Sequence, residues 1–96
     1  MTQTGTNIPE KFALNQNYPN PFNPDTKISF DLARSSNVKL TVFNSVGQKV
    51  MNIFEGNRSA GSYIATFDGS SLSSGVYFYR LETDYYTETK KMQLIK

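Results

Sequence analysis

The 96-residue chain has no cysteine, no histidine and no tryptophan. Without cysteine there is no disulfide framework and no thiol chemistry. Without histidine as well, Ser-His-Asp and Cys-His arrangements and the usual zinc sites are excluded. Charge is also sparse. Ten Lys and Arg against eight Asp and Glu leave a formal charge of +2, and Lys90-Lys91 is the only basic doublet, too little for a nucleic-acid footprint. No apolar run approaches the ~20 residues a membrane-spanning helix needs. Met1 to Asn7 is small and polar, lacks the basic head and apolar stretch of a signal peptide, and reads as a linker remnant. The carboxylates are scattered over turns and strand faces, where structural roles are expected. Asp68-Gly69-Ser70-Ser71 lacks the Asp-x-Asp-x-Asp-Gly spacing of a calcium loop. No glycine-rich phosphate loop opens a helix. The chain is therefore not expected to be an enzyme or to need a metal or cofactor.

What the chain has is aromatics, 14% of all residues and all of them Tyr or Phe, enough to supply a core without tryptophan. The length is that of one domain, which buries roughly 60–70% of its unfolded surface. After the entry segment Ile8–Leu14, where Phe12 and Leu14 share a face, several stretches alternate apolar with polar. Ile28, Phe30 and Leu32 form the first, then Val38, Leu40 and Val42, then Tyr63, Ala65 and Phe67. That is the period of half-buried strands. Val76–Leu81 is apolar on both faces and reads as the most central strand. Glu88–Ile95 reads as the last strand, with Met92 and Leu94 on one face and Lys91 and Gln93 on the other.

Asn44-Ser45-Val46-Gly47 predicts a type I turn with Gly47 left-handed. In the return strand Gln48–Phe54, Val50, Met51, Ile53 and Phe54 fail to alternate, which predicts a bulge or an edge position. Glu55–Gly61 reads as a loop, Leu72 as a plug at the end of the core, and Asp84–Thr87 as a hairpin turn. About seven short strands with turn signals every 8–12 residues, and no helical period, predict an all-β fold: an immunoglobulin-like antiparallel sandwich. Tyr85 and Tyr86 read as ordinary turn residues in preference to a sugar-stacking pair.

Proline is scarce, but three of the four fall in Tyr18-Pro19-Asn20-Pro21-Phe22-Asn23-Pro24. Each fixes φ and pushes the preceding residue towards extended geometry, so the run is a stiff loop feeding the Thr26–Leu32 strand. Tyr18 and Phe22 are its only large apolar groups, expected to cover the open end of the sandwich.

This run, with Thr26, Ile28, Phe30 and Leu32 behind it, resembles the opening of the type A C-terminal sorting domain of the type IX secretion system of Bacteroidetes and related bacteria. The likeness extends from Ile8 to Lys96. It includes Val38-x-Leu40-x-Val42-Phe43 with Gly47, then Gly61, Phe67-Asp68-Gly69 and Leu72. It closes with Ser74-Gly75-Val76-Tyr77-Phe78-Tyr79-Arg80-Leu81 and Lys91-Met92-x-Leu94-x-Lys96. Departures are Phe67 where the family often has tryptophan, Asn44 where it has aspartate, and the final hairpin, which commonly contains glycine.

The resemblance implies a secretion signal at residues 8–96, fused behind a passenger protein and read by outer-membrane translocon components. It implies transit through the periplasm, removal by a cysteine-peptidase sortase, and a passenger released or attached at the cell surface, with no nucleic-acid partner and no direct membrane insertion. Lys96 directly after a strand fits such a signal. The alternative is a non-catalytic carbohydrate-binding or adhesive module. The expected recognition residues are Tyr18, Pro19, Pro21, Phe22 and Pro24 in the loop, and Lys91, Met92, Leu94 and Lys96 in a last strand whose edge is free or peelable.

Overall fold

A computed structural model describes residues 1–4 and 8–96. Among these, eight strands occur and no helix: β1 (Thr2–Thr4), β2 (Ala13–Leu14), β3 (Asp25–Leu32), β4 (Ser36–Asn44), β5 (Lys49–Arg58), β6 (Gly61–Asp68), β7 (Gly75–Thr83) and β8 (Thr87–Leu94). They form two antiparallel four-stranded sheets, β1-β6-β3-β2 and β5-β4-β7-β8. β4–β5 and β7–β8 are short-turn hairpins, and β2 and β3 pair across the longer 15–24 connection. β3 pairs with β6 and β4 with β7, so the chain crosses repeatedly between sheets in the manner of Greek-key sandwiches.

The alternating residues meet between the sheets. Ile28, Phe30, Leu32, Leu40, Val42, Tyr79 and Leu81 are fully buried, and Val38, Tyr63, Phe67, Tyr77 and Met92 are nearly so. Two tyrosines fix the entry to their strands. Tyr63 Oη donates to the Ser59 carbonyl and Tyr77 Oη to the Ser73 carbonyl, each at 2.7 Å and four residues back. This is the tyrosine-corner device of immunoglobulin-type sandwiches, in which a buried ring keeps its hydroxyl satisfied by the chain that precedes it.

The expected local chemistry is visible at three places. Gly47 has φ +86°, and its N–H donates to the Asn44 carbonyl at 3.0 Å. Asn44 Oδ1 also accepts from the N–H groups of Val46 and Gln48, which holds the turn from its side chain. β5 is both an edge and bulged: Leu40 and Thr41 face Phe54 and Asn52, and Val42 and Phe43 face Met51 and Lys49, leaving Ile53 and Val50 unopposed. Leu72 packs against the core.

Two segments differ from the sequence reading. The expected Glu55–Gly61 loop shrinks to Ser59–Ala60, because Glu55–Arg58 extend β5 opposite Lys39–Ser36. Their polar composition hid a strand with water on its exposed side. Arg58 lies 4.2 Å over the Phe54 ring and covers part of it. The polar leader also contributes a strand, since Thr2, Gln3 and Thr4 pair with Ile64, Tyr63 and Ser62 along the edge of β6. Residues 5–7 of the expected linker remnant lie outside the described residues.

Candidate functional site

Residues 15–24 form a strap across one open side of the sandwich, from the edge of β3 to the edge of β8. Its first half adds to β3. Asn15 N–H donates to the Ser29 carbonyl, and Tyr18 and Lys27 exchange both backbone bonds, all at 3.0 Å. Its second half seals β8. Phe22 N–H donates to the Gln93 carbonyl and Ile95 N–H to the Phe22 carbonyl, both at 2.9 Å. Asn20 Oδ1 accepts from Gln93 N–H at 3.1 Å, and Gln16 Nε2 donates to the Lys91 carbonyl at 2.7 Å. An edge strand normally presents such groups unpaired. Here the Lys91 and Gln93 carbonyls and the Gln93 and Ile95 N–H groups are engaged within the chain, so this part of the edge is covered rather than free.

The middle of the strap is pinned from below. Tyr79, on central strand β7, is fully buried with its hydroxyl under the strap. It donates to the Asn15 carbonyl (2.7 Å) and accepts from Asn17 N–H (2.8 Å). Burial pushes this phenol up to about 12, and the nearby Glu88 charge adds to the rise against the opposing Asn17 N–H. Asn17 is itself buried. Its Nδ2 donates to the Pro19 carbonyl (3.1 Å) and to Thr26 Oγ1 (3.0 Å), while Thr26 Oγ1 donates to the same Pro19 carbonyl (2.8 Å). A donor-poor proline turn thus has its carbonyl taken up by two side chains from neighbouring segments. The Tyr18–Pro19, Asn20–Pro21 and Asn23–Pro24 bonds are cis.

The recognition residues expected from sequence do not share one surface. Phe22, Met92 and Leu94 are buried, Phe22 edge-on to Phe67 with centroids 6.0 Å apart. Of the two loop aromatics, Phe22 covers the open end and Tyr18 does not, being 80% exposed. Pro19, Pro21 and Lys91 are exposed and Pro24 half-buried. Lys96 is exposed but tied down: Nζ donates to the Ser70 carbonyl (2.7 Å) and its N–H to Ser74 Oγ (3.1 Å). Asn17, Asn20, Thr26 and the Tyr79 hydroxyl belong to the site but were not singled out from sequence. A buried asparagine in a polar run carries no periodic signal, and a core tyrosine looks the same whether or not its hydroxyl has a task.

At the other end of the entry segment, Phe12 stacks on Tyr86 (5.8 Å, 16° between planes), and Arg34 lies 4.4 Å over the Tyr85 ring. Tyr86 Oη bonds Glu88, whose other oxygen lies 3.2 Å from Lys90 Nζ. Burial, then this carboxylate, pushes the Tyr86 phenol up to about 12. The same bond holds the Glu88 carboxyl below its ordinary value. Among the described residues no group of three or more Asp or Glu is placed to hold a metal ion.

A two-sheet antiparallel sandwich with tyrosine corners and a strapped edge is an immunoglobulin-like module. The family model described as the secretion system C-terminal sorting domain matches residues 16–96, from the head of the strap to the final lysine, and the chain belongs to that family. It is a C-terminal sorting signal of the type IX secretion system. It works with that system's machinery and directs export to the cell surface or the extracellular space. No curated protein and no solved structure gives a match.

Proposed function

We propose that the outer-membrane translocon reads this domain folded, after the passenger has crossed the periplasm, and that a cysteine-peptidase sortase then separates domain from passenger. The passenger is released or attached at the surface, and the domain itself performs no catalysis. One observation carries this reading. The Pro-rich run and the last strand, far apart in sequence, are joined at one edge by the Phe22–Gln93 and Ile95–Phe22 bonds. That edge exists only in the folded domain, so a partner reading it distinguishes folded from unfolded cargo.

Within this edge Tyr18, Pro19, Pro21, Pro24 and Lys91 form the accessible surface. Phe22, Met92 and Leu94 act from inside by fixing the strap and β8, and Lys96 anchors the end of the chain to the Ser70–Ser74 loop. The test is a reporter fused ahead of residues 8–96 in a host with a type IX system. Export of the wild-type fusion is expected. Retention of a folded fusion in the periplasm would overturn the reading.

A further inference from the structure

Tyr18 is the most exposed large apolar side chain of the described residues, yet its backbone is held in an antiparallel bridge. Both of its main-chain groups pair with Lys27, and Pro19 follows it. The ring is displayed on a rigid mount, so little conformational entropy is lost when a partner covers it. A shallow groove of about 310 Å³ lies beside it, lined by Tyr18, Pro19, Asp25, Thr26, Lys27 and Thr66.

The sheet face that carries this groove is acidic, while the groove's own lining holds one carboxylate, Asp25, and one amine, Lys27. The outward residues of β3 and β6 carry three carboxylates (Asp25, Asp31, Asp68) against one amine (Lys27). The outward residues of the opposite sheet carry Lys39, Lys49, Arg80 and Lys91 against Glu55 and Glu82. The chain's small net charge therefore conceals two faces of opposite sign. Asp25 stands directly opposite Asp68 in the ladder, and like charges so placed repel. Lys96 reaches this corner, but its amine is donated to the Ser70 carbonyl. Asp25, in the groove wall, has no ion pair among the described residues.

Resting on the reading that a protein of the export machinery recognises the folded domain, we propose that this groove receives an arginine or lysine side chain of that partner. The cation lies over the Tyr18 ring and pairs with Asp25. An exposed ring attracts a cation through its quadrupole, and a carboxylate at the rim fixes its position. Tyrosine and arginine are also the residue types that most often dominate protein interfaces.

Export of the reporter fusion tests this with Tyr18→Ala, Tyr18→Phe, Asp25→Asn and Lys27→Gln. Each variant is checked by circular dichroism and melting. None should unfold the domain, because these side chains are exposed, and Asp25→Asn relieves a repulsion and should keep or raise the melting temperature. Tyr18→Ala and Asp25→Asn should each lower the rate of export by about tenfold. Tyr18→Phe, which keeps the ring, and Lys27→Gln, which removes the competing amine, should export at the wild-type level or above. Wild-type export from both Tyr18→Ala and Asp25→Asn would overturn the groove while leaving the sorting reading intact. Loss with Tyr18→Ala alone would overturn a cationic occupant. Retention of the folded wild-type fusion would instead overturn recognition of the folded domain, and this inference with it.

Discussion

Single atoms decide whether the strap stays down. The Tyr79 hydroxyl is the clearest case, since it is buried and satisfies one donor and one acceptor of the strap at once. Tyr79→Phe keeps the ring but strands Asn17 N–H and the Asn15 carbonyl, and an unsatisfied buried group costs about 1–3 kcal/mol. Chemical denaturation should show a loss of that order with an unchanged m-value. The same phenol makes the domain sensitive to alkali. Tyr79 and Tyr86 ionise only at about 12 when folded, against an ordinary value of 10.0. The stabilisation from holding them neutral is complete below pH 10 and is lost as pH rises from there through about 12. Melting temperatures across that window should fall, and fall less steeply in Tyr79→Phe. Gly69 is decisive in a different way. A Cβ there would stand 3.2 Å from Leu94 and 3.3 Å from Phe22, while its N–H donates to the Pro24 carbonyl at 2.9 Å. Gly69→Ala forces either the core or the strap to shift, and a loss of roughly 1–3 kcal/mol on thermal or denaturant unfolding is expected.

Among the elements, those with a strict period of two were legible and those whose role depends on a distant partner were not. β3, β4, β6 and β7 each bury every second residue against the opposite sheet, and that alternation is written in the sequence. The bulged edge β5 was legible through its broken alternation. Its C-terminal half was missed because Glu55–Arg58 lies on an edge, where polar residues cost nothing. The strap was legible as a stiff loop, since proline geometry is local. That it seals β8 was not, because Asn20 and Gln16 look like ordinary loop residues until Gln93 and Lys91 are beside them. Of the two forms expected for the final edge, free or peelable, the free one failed along Lys91–Ile95 for the same reason. Amide hydrogen exchange reports this directly. Gln93 and Ile95 lie in and just beyond an edge strand, yet their N–H groups are bonded to the strap and should be protected. Phe22→Ala, which removes the buried anchor at a cost of about 3–5 kcal/mol, should release both amides to exchange far faster than those β7 amides that bond β4.

For the whole molecule, the early run and the last strand are one structural unit even though nearly the entire domain lies between them. Phe22 bridges Leu94 in parallel, both side chains close on Gly69, and Phe67 stands edge-on to Phe22. Half of the strand pairings, β1–β6, β3–β6 and β4–β7, also join strands distant in sequence, so no part of the domain has a complete core before the rest is in place. Such a fold is expected to unfold in one cooperative step, with strap and β8 leaving together. A double-mutant cycle tests this. Phe22→Ala and Leu94→Ala should each be strongly destabilising, but the pair should cost less than the sum, with a coupling of roughly 0.5–3 kcal/mol. Additive losses would mean that strap and final strand hold the sandwich independently, and that a chain with either one loosened still presents the other intact. Coupling of the expected size means that neither survives alone. Deleting residues 92–96 should then remove the strap from its seat as surely as mutating Phe22. Circular dichroism and exchange at Tyr18 and Lys27 should show the proline run released before any question of export arises.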